Sequence, residues 1–200
     1  TIGPGGLFKA LRTIPAWLEI LRDCEELCPD ALVLNYTNPM AMLCLAAGRS
    51  SSMSVVGLCH SVQGTSNVLA RYAGVPYEEM RWECAGINHL AWFTTLEHKG
   101  KDLYPRLKRD FRRQLSRAIR EYDSGEMPEA CVGPHRLPED APPHHDDLVR
   151  KDMCVNFGAF ITESSGHLSE YLPYYRKSEE GRKLLRAGYC GGSRFYASNW

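Results

Sequence analysis

Two short apolar runs constrain the fold more than any other feature. Ala31-Leu32-Val33-Leu34-Asn35-Tyr36 follows Pro29-Asp30, and a second run extends from Ser54 to Leu58. Brief apolar runs bounded by turn residues are the pattern of buried parallel strands. Helical patterns flank them. Leu7 to Arg12 and Pro15 to Leu27 carry apolar residues at helical spacing, with Pro15 suited to the first turn of the second piece and Thr13 as its cap. Gly3 to Gly6 ahead of them read as a flexible turn. Asn38-Pro39 turns the chain into a helix through Met40, Met42 and Leu45, and Ser61 is expected to cap a helix to about Tyr72. This rhythm is half of a doubly wound α/β sheet. Ligands in such sheets bind beyond the carboxyl ends of the strands, where Asn38 and Cys59-His60 fall.

The character changes after Gly74. Arg81 to Ala85 and Ala91 to His98 alternate like antiparallel strands, the second closed by the Lys99-Gly100 turn. Leu103 to Tyr122 is a charged amphipathic helix, Asp123 to His145 a long Pro- and Gly-rich loop, and a further helix is expected near Asp146 to Phe157. The expected organisation is therefore residues 1–74 as part of the doubly wound domain and 75–200 as part of an α+β domain.

The formal net charge is zero, which argues against an electrostatic nucleic-acid partner. No apolar run reaches the ~20 residues that span a bilayer. The eight cysteines sit inside helix- and strand-like segments, not in a small loop-rich framework, so a reduced, cytoplasmic protein is expected.

Cys59 and His89, the latter in Gly86-Ile87-Asn88-His89, would form an N/S site suited to a first-row divalent ion. As a bare pair they read more simply as a small buried hydrophobe and a satisfied core histidine. His60 has the chemistry of a general acid. His144-His145-Asp146-Asp147 is another potential metal cluster, although its carboxylates lie where a helix N-cap is needed. Glu163, His167, Glu170 and Tyr171 form a dense polar stretch that contains many surface groups.

Several ordered motifs together resemble glycoside hydrolase family 4, most closely its α-galactosidase, melibiase-type branch. They are Gly3-Pro4-Gly5-Gly6, Asn35-Tyr36-Thr37-Asn38-Pro39-Met40, Gly57-Leu58-Cys59-His60-Ser61, Cys84-Ala85-Gly86-Ile87-Asn88-His89 and Phe160-Ile161-Thr162-Glu163-Ser164-Ser165-Gly166-His167. The resemblance implies a Rossmann-like, lactate/malate dehydrogenase-like fold, with NAD and a divalent metal, usually Mn2+, as cofactors. It also implies a chemistry outside the usual two-carboxylate scheme. The sugar is oxidised at C3, a base removes the acidified C2 proton, the glycosidic oxygen leaves by elimination, water adds, and C3 is reduced again.

Position by position, the resemblance makes Cys59 and His89 the metal ligands, Asn38 a sugar contact and His60 the general acid. Tyr171 becomes the base, with Asp152 or His167 as substitutes. The expected substrate is an unphosphorylated α-galactoside or related hexoside. The alternatives are α-glucosidase or α-galacturonidase activity, a lactate/malate-type dehydrogenase, or an inactive fragment. Phe195 stands where the family pattern has an acidic residue. The family's Gly-rich dinucleotide fingerprint does not occur in the sequence, so the chain is expected to be a fragment of a homo-oligomeric enzyme that by itself does not hold NAD.

Overall fold

A computed structural model describes residues 3–126 and 143–188. The chain divides into two compact units, Thr1–His60 and Ser61–Trp200. Phe195 and most of the long loop lie outside the described residues.

The first unit comprises α1 (Gly3–Leu27), β1 (Leu32–Asn35), α2 (Met40–Ser50) and β2 (Ser54–Gly57). The expected glycine turn and break at Pro15 are absent: α1 runs unbroken from Gly3 through Pro15. Thr13 caps nothing, and its hydroxyl donates to the Lys9 carbonyl at 2.8 Å. An interior proline costs roughly 3 kcal/mol. Packing compensates, because the stripe Trp17, Leu18, Leu21 and Cys24 closes on Ala47, Met53, Val33 and Val55. The Trp17 indole also donates to the Leu43 carbonyl at 3.1 Å.

β1 and β2 pair in parallel from Leu32↔Ser54 to Asn35↔Gly57, and the Leu58 amide extends the ladder to the Asn35 carbonyl. The sheet was expected to be buried on both faces. Instead α1 and α2 cover only the Val33/Val55 face, and Leu32, Leu34 and Val56 are exposed. Gly57 sits tight against α2: a Cβ there would lie 2.6 Å from Met40 Sδ and 2.9 Å from Cys44 Sγ, so a larger residue would have to displace those side chains.

The second unit takes up the chain within α3 (His60–Ala73). An antiparallel sheet follows, made of β3 (Met80–Ile87), β4 (Leu90–His98) and β5 (Lys101–Asp102), with β6 (Phe160–Ile161) on the other edge of β4. The unit also contains α4 (Tyr104–Ser124), α5 (Leu148–Phe157), α6 (Ser165–Tyr171) and α7 (Glu179–Ala187). α4 buries Leu107, Phe111 and Ala118 along one stripe and ends at Gly125, whose φ of 73° is the left-handed stop expected of glycine. Phe93, Leu96, Phe111, Phe160 and Leu69 form one core cluster; Leu148, Val149, Met153, Ile161 and Leu168 form another.

Asp147 occupies the N-cap position of α5, but its side chain makes no capping bond. Its carboxylate accepts from Arg150 through Nε (2.6 Å) and Nη2, and from Ser165 Oγ at 2.8 Å, while Tyr72 donates to Asp146 at 2.9 Å. Burial works against the charged form of Asp147, but the Arg150 guanidinium outweighs it and holds the carboxyl low. Burial also lowers the Lys151 ammonium to about 8, against the pull of both aspartates. The expected caps are thus the anionic half of a buried charge network.

Candidate active site

In the first unit the polar residues lie just past the carboxyl ends of two parallel strands. Buried Asn35 closes β1: its Oδ1 accepts from the Thr37 amide at 2.9 Å and shapes the loop that carries Tyr36 and Asn38. Asn38 Oδ1 accepts from the Met40 amide at 3.3 Å and so begins α2. Beyond β2 come Cys59 and the exposed His60, whose ring sits 4.9 Å from that of Tyr36. A Rossmann-like sheet presents ligand-binding groups at this edge.

In the second unit β3 and β4 join by a two-residue turn, since Ile87 pairs with Leu90. His89 is the second turn residue and has φ 62°, a left-handed conformation that costs a side chain roughly 1–2 kcal/mol. The turn needs Gly86, at φ 142°, because a Cβ there would lie 2.6 Å from Ala91 Cα. Glu163, after β6, is also left-handed, at φ 77°. These two strained residues meet: His89 Nδ1 is 3.1 Å from Glu163 Oε2. Non-glycine residues in this region concentrate at functional sites.

Other groups converge on the pair. Tyr171, the last residue of α6, has its hydroxyl 3.4 Å from His89 Nδ1. The His167 ring stacks against His89 (centroids 6.2 Å apart) and against Tyr171 (5.8 Å). Ser61, expected as a helix cap, lies inside the first turn of α3 and donates its hydroxyl to Glu163 Oε2 at 3.3 Å. Burial lowers the His89 pKa; the Glu163 carboxylate pulls the other way and is outweighed. A neutral imidazole backed at Nδ1 by a carboxylate is the state and posture of a metal-ligating histidine. Asn88 Oδ1 is buried without a hydrogen-bond partner beside it, a polar atom left for a ligand to satisfy. The residues of this unit therefore fit a divalent metal.

Asp152, a substitute base by resemblance, lies elsewhere in this unit. Its carboxylate accepts from Tyr175 at 2.8 Å, and burial raises its pKa. A cleft of about 520 Å³ lined by Ser169, Tyr171, Arg176 and Lys177 shares Tyr171 with the cluster, but His89 and Glu163 do not line it.

Sequence reasoning missed the role of Glu163, which the polar stretch concealed among surface groups; its left-handed backbone is invisible to composition. It also missed Glu121, which receives His144 Nε2 at 2.8 Å and His145 Nε2 at 2.7 Å. None of the six cysteines among the described residues forms a disulfide, and no helix among those residues is long and apolar enough to cross a membrane.

Comparison with known proteins shows the family. Residues 1–75 match the family described as Family 4 glycosyl hydrolase, and residues 84–196 match its C-terminal domain. An α-galactosidase of Bacillus subtilis (strain 168) is 40% identical over 88% of this chain and 35% of its own length. An α-galacturonidase of Thermoanaerobacter italicus is 32% identical over 88% of this chain and 37% of its own length. In fold, the chain resembles a putative glucosidase from Bacillus subtilis (TM-score 0.67, 26% identity, 100% of this chain and 44% of that one). It also resembles a 6-phospho-α-glucosidase from gut microorganisms in complex with NAD and Mn2+ (TM-score 0.60, 23% identity, 87% and 38%). The chain thus spans about a third of the length of the two curated relatives.

Proposed function

The chain belongs to family 4 of the glycosyl hydrolases, and we propose that it is part of an NAD- and divalent-metal-dependent enzyme that cleaves α-galactosides. The observation that carries this reading is the pairing of two strained residues, His89 and Glu163, beside Tyr171. The α-galactosidase relative supports the hexoside. An α-galacturonidase and an α-glucosidase at 32% and 35% identity make those specificities the second reading.

When bound, NAD supplies reversible hydride transfer at C3 of the sugar, and the metal supplies Lewis acidity at the C2 and C3 oxygens. His89 is a metal ligand, turned by Glu163 at Nδ1 so that Nε2 is the ligating atom. Cys59, following β2, is the thiolate ligand. Asn38, following β1, contacts the sugar. His60 delivers a proton to the departing glycosidic oxygen. Tyr171, as the phenolate, receives the C2 proton and becomes the phenol, with His89 Nδ1 and the His167 ring fixing its position. In this reading residues 1–74 belong to the dinucleotide-binding domain and 75–200 to the catalytic domain of a cytoplasmic homo-oligomer. No G-x-G-x-x-G pattern occurs in the 200 residues, so no nucleotide contact is assigned to this chain.

The test is hydrolysis by the full-length protein of aryl α-galactoside, α-glucoside and α-galacturonide, with NAD and Mn2+ supplied or withheld. The α-galactoside is expected to be preferred and both cofactors to be required. Hydrolysis at full rate after removal of both cofactors overturns the reading.

A further inference from the structure

A second cluster in the same unit remains, and it uses neither Cys59 nor His89. We propose that Glu121, His144 and His145 form an additional divalent-metal site of the zinc class. The carboxylate comes from the last turns of α4 and the imidazoles from the short turn Pro143–His145. One ligand atom from each lies within 4.8 Å of the other two. Both histidines are buried, His145 completely.

Three observations favour an ion over a simple ion pair. Two consecutive histidines aim both Nε2 atoms at a single carboxylate oxygen, Glu121 Oε2, with ring centroids 4.5 Å apart. His145 Nδ1 lies 2.8 Å from the Ala187 carbonyl at the end of α7. That carbonyl fixes the proton on Nδ1 and turns Nε2 toward the carboxylate, the backing typical of a ligating histidine. Arg117 Nε takes the other oxygen, Oε1, at 2.7 Å and leaves Oε2 for the ion.

One divalent ion beside Glu121 Oε2 would satisfy both Nε2 atoms at once, while the Ala187 carbonyl keeps the Nδ1 side of His145 occupied.

Two imidazole nitrogens and one carboxylate oxygen make a three-ligand set with one position for water, suited to Zn2+ rather than to Mg2+ or Ca2+. Tetrahedral bonding separates such ligands by roughly 3.3 Å, so the 2.7–2.8 Å contacts need open only slightly. The ion would join the end of α4, the His144-His145 turn and, through Ala187, the end of α7.

The test uses the full-length protein carrying Cys59→Ser, which removes the thiolate of the other proposed site. After chelator treatment it is titrated with Zn2+ alone. One equivalent is expected to bind, and X-ray absorption is expected to show two imidazoles and no sulfur at the zinc. Adding Glu121→Gln, or separately His144→Gln, is expected to weaken zinc binding at least about tenfold, since even outer partners of metal ligands are worth 10–100-fold. Failure of the Cys59→Ser protein to retain zinc overturns the proposal. So does a zinc environment without two imidazoles, or an affinity indifferent to both substitutions.

Discussion

Glu163→Gln separates a positioning role from a merely structural one. The substitution keeps the size of the side chain and removes the charge 3.1 Å from His89 Nδ1. The two side chains are only 11% and 13% exposed, so solvent screens the pair weakly. Partners that orient a ligating histidine are worth about 10–100-fold in metal affinity, or about 1.4–2.7 kcal/mol. The Mn2+ concentration that half-saturates activity of the full-length enzyme should therefore rise by that factor, with a smaller change in rate at saturating metal. Glu163→Gly supplies the control. Glycine adopts φ 77° without penalty and releases about 1–2 kcal/mol of backbone strain. It should raise the Mn2+ requirement as Gln does, with little loss of melting temperature. A wild-type Mn2+ requirement in Glu163→Gln would refute the positioning argument.

Asp147→Asn leaves Arg150 buried without its main counter-charge and should cost about 3–5 kcal/mol in urea unfolding; a loss below about 1 kcal/mol counts against the network as a stabilising unit. His89 has its folded pKa lowered by burial, so its contribution to stability is present above about pH 6.5 and is lost as the pH falls through the folded value. The urea midpoint of metal-free protein should thus fall more between pH 7.5 and 5.5 in wild type than in His89→Gln, and equal slopes would contradict it. His60→Ala should slow α-galactosides with basic leaving groups more than activated aryl ones; uniform slowing removes His60 from the acid role.

Local pattern carried much of the fold. β1 and β2 lie inside the apolar runs 31–36 and 54–58, β4 starts within a residue of its alternating segment, and α4 follows its amphipathic stripe. The sequence misled where tertiary packing overrode a local preference, as at Pro15, and where a polar side chain found a distant partner. Ser61 bonds Glu163 instead of capping α3, and Asp147 bonds Arg150 instead of capping α5. Within the site, His89 was a candidate ligand from its chemistry and motif, and Tyr171 was named as the base from the family resemblance. Glu163 was not, because its part depends on a left-handed backbone and a contact that joins distant segments. Glu121 escaped notice for a similar reason: within α4 it looks like one more solvated charge, and only the turn at His144-His145 gives it its partners.

Cleavage by elimination and cleavage by displacement differ in the fate of the C2 hydrogen, which an isotope reads out. The full-length enzyme should be run on an α-galactoside in heavy water with NAD and Mn2+, and the galactose product examined by proton NMR. Deuterium is expected at C2, because removal of that proton is an obligatory step of elimination, and no net NADH should accumulate. Galactose formed at full rate with only hydrogen at C2 would contradict the elimination mechanism.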